Sequence, residues 1–478
     1  MLLVVLAGLL PPAAAAAEPA ATRPNVLLVC VDDLRPELAS FGRGYVSSPN
    51  IDALAARGRP FLRHYVQAPT CGASRAALLT GRYGAAHNGA LFDHAEAGPA
   101  AEAETPSLPG WFRRNGYAAV SVGKVSHHPG GLGGPDWNDP DAVEMPGAWD
   151  RSLQPTGPWE HPRGVMHGLA HGHTRSDASP SPVYEAAEGG DDAYPDGLIT
   201  EAALAEIRGL AATPEKPFLL AVGLIRPHLP FGAPKKYLDR YDGVELPPIE
   251  NADRPTGRTT WHGSAEFRRY DRFGGDPDAD AGFADELRRH HAACVSYADA
   301  QVGRLVAGLE ASGVAENTVI VLWGDHGFHL GEQAVWGKHT LFEASLRSPL
   351  IVVAPPVRAP GTPTEAVVET IDLFPTLCAL AGLAAPAGLH GASLLPQLAD
   401  PAAAGGDAVS YRKDAQTLRT PTHRLVVHED GHRELYDLRS ATGEMHNLAE
   451  AEPRLADELA ARLSDRLAVG KPEAVDAP

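Results

Sequence analysis

From Val26 to Val31 every side chain is apolar, and the run breaks at once into Asp32-Asp33. A half-exposed strand would alternate apolar and polar residues, so an unbroken run of this length predicts a strand covered on both faces, as at the centre of a parallel sheet. In open α/β sheets ligands bind beyond the carboxyl ends of such strands, where two adjacent carboxylates are placed to hold a cation. Taken alone, an Asp-Asp pair is more often a solvated acidic turn.

The pattern recurs along the chain. Ala118 to Val122 follows a helix at Leu108 to Asn115 and leads into Gly123-Lys124-Val125-Ser126-His127-His128. Phe218 to Gly223 follows a helix at Gly197 to Leu210 and runs into Arg226-Pro227-His228-Leu229-Pro230-Phe231, with Lys235 and Lys236 just beyond. The longest helical pattern, residues 285 to 312, feeds a strand at Thr318 to Trp323 that ends in Gly324-Asp325-His326-Gly327. Leu350 to Val353 is a further strand. Alternating strands and helices predict an α/β fold, and the strand ends carry groups that bind ions or move protons.

A second feature is Thr70-Cys71-Gly72-Ala73-Ser74-Arg75, followed by a helix through Leu79 that Gly81 is placed to end. The start of a helix exposes unpaired N–H groups and partial positive charge, which suits both an anion and an activated nucleophile. A small buried cysteine ahead of an ordinary helix is the plainer alternative.

Charge narrows the partners. The formal net charge of −19 opposes sequence-independent binding to nucleic acid or to an anionic membrane, so an anionic substrate needs a local cationic pocket. With 478 residues, 44% of them hydrophobic, the chain can bury a large core, and no apolar run beyond the N-terminus is long enough to span a bilayer. Residues 1–17, with an apolar run from Leu2 to Leu10 and the tract Ala15-Ala16-Ala17, read as a signal peptide, which predicts export to the periplasm or beyond. The four cysteines, Cys30, Cys71, Cys294 and Cys378, do not form a disulfide framework for a chain this long.

Residues 23–400 read as one domain, then an Ala/Gly/Pro-rich linker from Asp400 to Gly406, then a smaller α+β unit at 407–478. That unit shows short strands around Val409, Arg424 to His428 and Glu434 to Leu438, and a helix from Pro453 to Leu467. Residues 130 to 195, rich in Gly, Pro, His and Asp, read as loops that shape a site. Their histidines, His161, His167, His171 and His173, lack a ligand pattern and read as solvated.

Taken together, Cys71-Gly72-Ala73-Ser74-Arg75, Pro24-Asn25-Val26 through Asp32-Asp33, Gly123-Lys124, Arg226-Pro227-His228, Gly324-Asp325-His326-Gly327 and Trp336-Gly337-Lys338 resemble the type I sulfatases. The spacing of Lys124 to His127, the histidine at 326 and the Pro-His-x-Pro-Phe word resemble the iduronate-2-sulfatase branch in particular. Ala73 stands where the common form of the signature has proline. Glu434-Leu435-Tyr436-Asp437-Leu438 looks like the C-terminal subdomain of the same family.

The resemblance implies an alkaline-phosphatase-like, doubly wound sheet. It implies oxidation of Cys71 to formylglycine by a maturation enzyme, and one divalent cation held by Asp32, Asp33, Cys71, Asp325 and His326. Oxygen donors with one imidazole favour Ca²⁺, with Mg²⁺ the alternative, over a thiolate zinc site. It further implies that Arg75, Lys124 and Lys338 neutralise the sulfate oxygens, that His228 protonates the leaving oxygen and that His127 serves as base. The implied substrate is an O-sulfated sugar, such as a uronate 2-sulfate at a chain end, with Arg226, Lys235 or Lys236 gripping its carboxylate. A phosphate mono- or diester hydrolase of the same superfamily and an arylsulfatase of broad specificity are the alternatives. A carbohydrate-binding relic in which Cys71 is never oxidised is a third.

Overall fold

The computed structural model describes residues 23–174 and 180–468, so the leader expected at 1–17 lies outside the described residues. The apolar run is strand β1 (Asn25–Val31), and Val26 through Val31 are all 0% exposed. Each such fully buried aliphatic side chain contributes on the order of 1.5–3 kcal/mol. Alternate residues serve opposite faces. Leu27, Val29 and Val31 join a core with Ile51, Ile199, Ile207 and Leu305, whereas Val26, Leu28 and Cys30 join one with Leu78, Phe112, Phe374 and Leu377.

The first core is roofed by helices α1 (Pro49–Arg57), α4 (Pro195–Ala211) and α5 (Ala281–Ala311). The second is roofed by α2 (Cys71–Thr80), α3 (Leu108–Arg114) and α6 (Leu373–Leu380). The result is a three-layer α/β/α sandwich, as an unbroken apolar central strand requires.

The remaining strands of this sheet are β2 (Arg59–Tyr65), β3 (Ala118–Gly123), β4 (Arg151–Leu153), β5 (Phe218–Leu224), β6 (Thr318–Gly324), β7 (Leu350–Val353) and β8 (Thr364–Glu369). Their spatial order is β8-β2-β7-β6-β1-β5-β3-β4. β7 runs antiparallel to both neighbours, while every other pairing is parallel, so the sheet is mixed.

A smaller antiparallel sheet follows, built from β9 (Ala408–Arg412), β10 (Ala415–Arg419), β11 (His423–His428) and β12 (Arg433–Asp437) in sequence order. Helix α7 (Pro453–Ala468) lays Ala456, Leu459 and Leu463 on Leu418, Leu425 and Leu435. Ala68 and Ala73, from the loop before α2 and its first turn, belong to this same cluster, so the small subdomain backs directly onto the start of α2. Among the described residues no helix is long and apolar enough to cross a membrane.

Candidate active site

Four adjacent strands deliver the candidate residues. β6, β1, β5 and β3 are consecutive neighbours, all parallel, and at their carboxyl ends stand Asp325-His326, Asp32-Asp33, His228 and Lys124 with His127. Register Val31↔Gly324 between β1 and β6 places the two acidic words side by side. The Asp325 amide donates to the Val31 carbonyl at 3.2 Å, and the Asp33 amide to Asp325 Oδ1 at 2.9 Å. Asp33 takes a left-handed backbone conformation, φ 59°, which turns its carboxylate back over the strand end.

Helix α2 points its N-terminus at this corner. Cys71 is its first residue, and Gly81 ends it with φ 66°, its amide returning to the Ala77 carbonyl at 2.8 Å. A Cβ at Gly72 would lie 2.3 Å from the backbone of Asn88, and that close approach lets the Gly72 amide donate to Asn88 Oδ1 at 2.9 Å. A helix-start amide is thereby satisfied by a residue distant in sequence, without a cap from the Thr70 side chain.

Asp32, Asp33, Cys71 and His326, all buried, offer ligand atoms within 4.8 Å of one another. Asp325 adjoins them, its Oδ2 at 3.7 Å from His326 Nε2, but the same carboxylate is engaged by Arg75 Nη2 at 3.0 Å and by the Asp33 amide. The Cys71 sulfur lies 3.2 Å from His326 Nε2 and 3.4 Å from Lys338 Nζ. Lys338 reaches the site because the strand pair His329–Leu330 and Trp336–Gly337 folds the chain back after β6. Arg35 braces that excursion, pairing with Glu332 and donating to the Phe328 carbonyl at 2.8 Å.

Burial sets the charges. It pushes the carboxyls of Asp33 well above the ordinary range and of Asp325 up to about 7, with Asp32 adding to both. Asp32 goes the other way: against burial, Lys124 and Arg75 hold it well below that range. Burial, reinforced by Lys338, holds His326 well below 6.5, so its imidazole is neutral and able to ligate. Two proton-hungry carboxyls, one ionised carboxylate and a neutral imidazole in a dry corner form an oxygen-rich donor set that fits one hard divalent cation. Burial also drives the Cys71 thiol well above its ordinary range, with Asp32 adding to it, so an unmodified thiol would be a poor nucleophile here.

A cleft of about 220 Å³ opens onto Cys71 and is lined in part by Asn88, His127, Trp137, His167, His228 and Lys338. Its wall includes Trp137, Met166 and His167, so the loop segment 130–195 does shape the site, and His167 belongs to the cleft rather than to bulk solvent. His127 lines the cleft, whereas His128 turns away to Glu144, 3.3 Å from Nδ1 to Oε1. Burial, with Lys124 next, holds His127 well below 6.5; burial and Lys338 do the same to His228.

The expected cations divide by position. Arg75 and Lys124 are 0% exposed and do not line the cleft. Arg75 donates to Asp325, Asp32 and the carbonyls of Lys124 and Val125, while Lys124 Nζ pairs with Asp32, so both cations organise the carboxylates and only Lys338 of the three faces the cleft. Arg226 is likewise buried, donating to the carbonyls of Gly232, His228 and Gly168. Lys235 pairs with Asp239 and Lys236 with Asp191, away from the cleft. The arginine that does line it is Arg269.

Two further cleft residues carried no signal in the sequence. Glu266 precedes and Arg269 closes the short turn Phe267–Arg269, in a stretch without periodicity or a strand end. Glu266 approaches His228, Lys338 and His339 at 3.8, 3.9 and 3.5 Å.

Comparison with known proteins supplies the context. The family model described as Sulfatase matches residues 24–383, and that described as N-sulphoglucosamine sulphohydrolase, C-terminal, matches residues 331–471. A sulfatase of Formosa agariphila is 29% identical over 89% of this chain and 83% of its own. The iduronate 2-sulfatase of Mus musculus is 31% identical over 76% of this chain and 69% of its own. Among solved structures, the phosphonate monoester hydrolase of Agrobacterium radiobacter superposes with a TM-score of 0.76 at 23% identity, covering 95% of this chain and 97% of its own, a likeness of fold.

Proposed function

The chain belongs to the sulfatase family, hydrolases of sulfate esters, and on that premise we propose that it removes sulfate from a terminal O-sulfated sugar of the uronate 2-sulfate type, using Cys71 after its oxidation to formylglycine. The observation that carries this reading is the position of residue 71 at the floor of the cleft, on the same 4.8 Å cluster as Asp32, Asp33 and His326. The fold hosts phosphonate and sulfate chemistry alike, so the argument rests on the site.

The donor set of Asp32, Asp33, Asp325, His326 and residue 71 would hold one Ca²⁺, which when bound supplies Lewis-acid polarisation and charge compensation. Asp32, Asp33 and Asp325 are oriented for it by Lys124, Lys338 and Arg75. Lys338, between Asp33 and the Cys71 sulfur, is placed to meet sulfate oxygens.

The hydrated aldehyde at residue 71 bears two hydroxyls on one carbon. One hydroxyl gives up its proton to water in the cleft, and as its oxygen bonds to sulfur and the sulfur–sugar oxygen bond breaks, His228 gives its proton to the departing sugar oxygen. His127 then takes the proton of the second hydroxyl, the carbon–oxygen double bond re-forms, and the bond from that carbon to the sulfate oxygen breaks. Water restores the hydrate. A serine at 71 would lack the second hydroxyl and would hold its sulfate.

A cleft of about 220 Å³ suits one sugar ring better than the interior of a polymer. Arg269, which lines it, is a cation available to a uronate carboxylate while Lys338 meets the sulfate. The similarity to iduronate 2-sulfatase supports the same class. The test is a panel at fixed salt: 2-sulfated uronate mono- and disaccharides, an aryl sulfate, a phosphate diester and a phosphonate monoester. The expected order places terminal sugar sulfate first. Faster turnover of internal sulfate in intact polymer would overturn the chain-end reading, and a phosphate diester or phosphonate turned over faster than every sulfate would overturn the sulfate-ester reading.

A further inference from the structure

His228 presents a proton problem. Its Nδ1 lies 2.7 Å from the Leu229 carbonyl, which only accepts, so Nδ1 carries a hydrogen and only Nε2 can exchange a proton with substrate. The charged or titratable groups around this ring are Asp32, Lys124, Lys338, His167, Glu266 and, through Glu266, His339. Lys124 and Lys338 oppose a second proton on it, as does burial. An acid for the leaving oxygen needs a nearby counter-charge.

We propose that Glu266 is that counter-charge, a positioning residue that keeps a proton on His228 Nε2 for delivery to the leaving oxygen. Glu266 Oε1 is 3.8 Å from His228 Nε2, and Oε2 is 3.9 Å from Lys338 Nζ and 3.5 Å from His339 Nε2. A carboxylate only accepts hydrogen bonds, so this placement favours His228 with both nitrogens protonated and opposes the neutral ring, whose Nε2 lone pair would face it. Closing the gap by about 1 Å makes a charge-assisted hydrogen bond, the tightening expected as a catalytic site fills. Lys338 and His339 keep the carboxyl well below its ordinary range despite burial, so Glu266 is ionised. The proton it retains on His228 passes to the sugar oxygen as the sulfur–oxygen bond breaks, and is replaced from solvent between turnovers.

This inference rests on His228 acting as the acid in sulfate-ester cleavage. Its test is leaving-group dependence in the full-length, formylglycine-bearing enzyme, measured with aryl sulfates from nitrophenyl to unsubstituted phenyl and with a sugar sulfate. Glu266→Gln should lower kcat by about 10²-fold for the sugar and phenyl sulfates, whose leaving oxygens need a proton, and by less than about 3-fold for nitrophenyl sulfate. Glu266→Asp should restore part of the loss, and adding Glu266→Gln to His228→Gln should cost little more than His228→Gln alone. A loss equal across the series, or none, would overturn the role of Glu266, because damage to Lys338 or to packing makes no distinction among leaving groups. No leaving-group dependence in His228→Gln itself would instead remove the acid assignment on which the inference rests.

Discussion

Lys338 Nζ lies 2.9 Å from Asp33 Oδ1, joining the loop that leaves β6 to the residue just beyond the end of β1. The contact is buried, with the two side chains 3% and 1% exposed. One carboxylate would thus answer to two positive partners, the ammonium seen here and the divalent cation proposed for the donor set. Substituting Asp33 should disturb both.

Asp33→Asn is expected to weaken binding of the divalent cation by at least about 10²-fold, with turnover falling in step. Elemental analysis of the purified variant and calorimetric Ca²⁺ titration read the first, sulfate release the second. Dialysis of the native enzyme against a chelator should abolish turnover, and Ca²⁺ should restore it. An Asp33→Asn protein that kept its metal and its rate would remove Asp33 from the donor set.

Cys71→Ser should reduce steady-state turnover by at least about 10³-fold, the scale of losing a nucleophile. Its distinguishing signature is a stalled covalent sulfate ester on residue 71, visible as one added SO₃ in the mass of the tryptic peptide. Native protein from a host with a maturation system should show aldehyde at that position. Full activity from the unmodified thiol would refute the proposed chemistry.

Gly72→Ala tests how closely the helix start must fit its neighbour. The new Cβ would fall 2.3 Å from Asn88 Cα and from the Asn88 carbonyl oxygen, so backbone must move. Overpacking of this kind costs about 1–3 kcal/mol. A lower Tm should accompany a loss of activity in protein that remains folded by circular dichroism; unchanged Tm and rate would show that Asn88 can retreat freely.

Acid stability should depend on Glu343. This residue joins the main domain to the small sheet, its Oε1 accepting from Arg419 Nε at 2.7 Å and Arg424 Nη2 at 2.6 Å. Burial pushes Glu343 up, but Arg419 and Arg424 outweigh it and hold the group at about 2. A carboxyl lowered in the folded state stabilises above its unfolded value of 4.5, and that contribution, no more than about 3 kcal/mol, is lost as pH falls from 4.5 to 2. Nearby Glu444, pushed up to about 7 by burial, works oppositely: it stabilises below 4.5 and loses that contribution as pH rises through 7. Thermal unfolding against pH should therefore show an acid limb that Glu343→Gln flattens, at the cost of lower stability at neutral pH because Arg419 loses its carboxylate partner and Arg424 one of its two. An acid limb of the same slope in the variant would exclude Glu343 as its source.

What was legible in the sequence was what burial writes into it. β1, β5 and β6 could be read from uninterrupted apolar runs, and the words just after them located Asp32, Asp33, His228, Asp325 and His326. β2 escaped notice because Arg59-Pro60-Phe61-Leu62-Arg63-His64-Tyr65 looks exposed. Its Arg59 is in fact 0% exposed, donating to the carbonyls of Gln397, Arg358 and Leu398, a solution that no local pattern announces. The buried placements of Arg75, Lys124 and Arg226 were illegible for a related reason: a cation near a motif can face a ligand or lock its neighbours, and no local pattern says which. Glu266 and Arg269 lie on a turn outside any periodic element, so their place at the cleft depends on how the loop is folded back.

Cys71 is 3% exposed, at the floor of a narrow opening, with α2 backed by the small subdomain through Ala73. Little of that sulfur is open to another protein's active centre once these layers have closed. Under the proposed chemistry, an enzyme that converts the thiol would have to work on the chain while it is still open, so that folding sets the deadline. The aldehyde fraction in a purified sample would then be a fossil of a race between two rates during synthesis, and slowing the fold, rather than incubating the finished protein longer, is what should raise it.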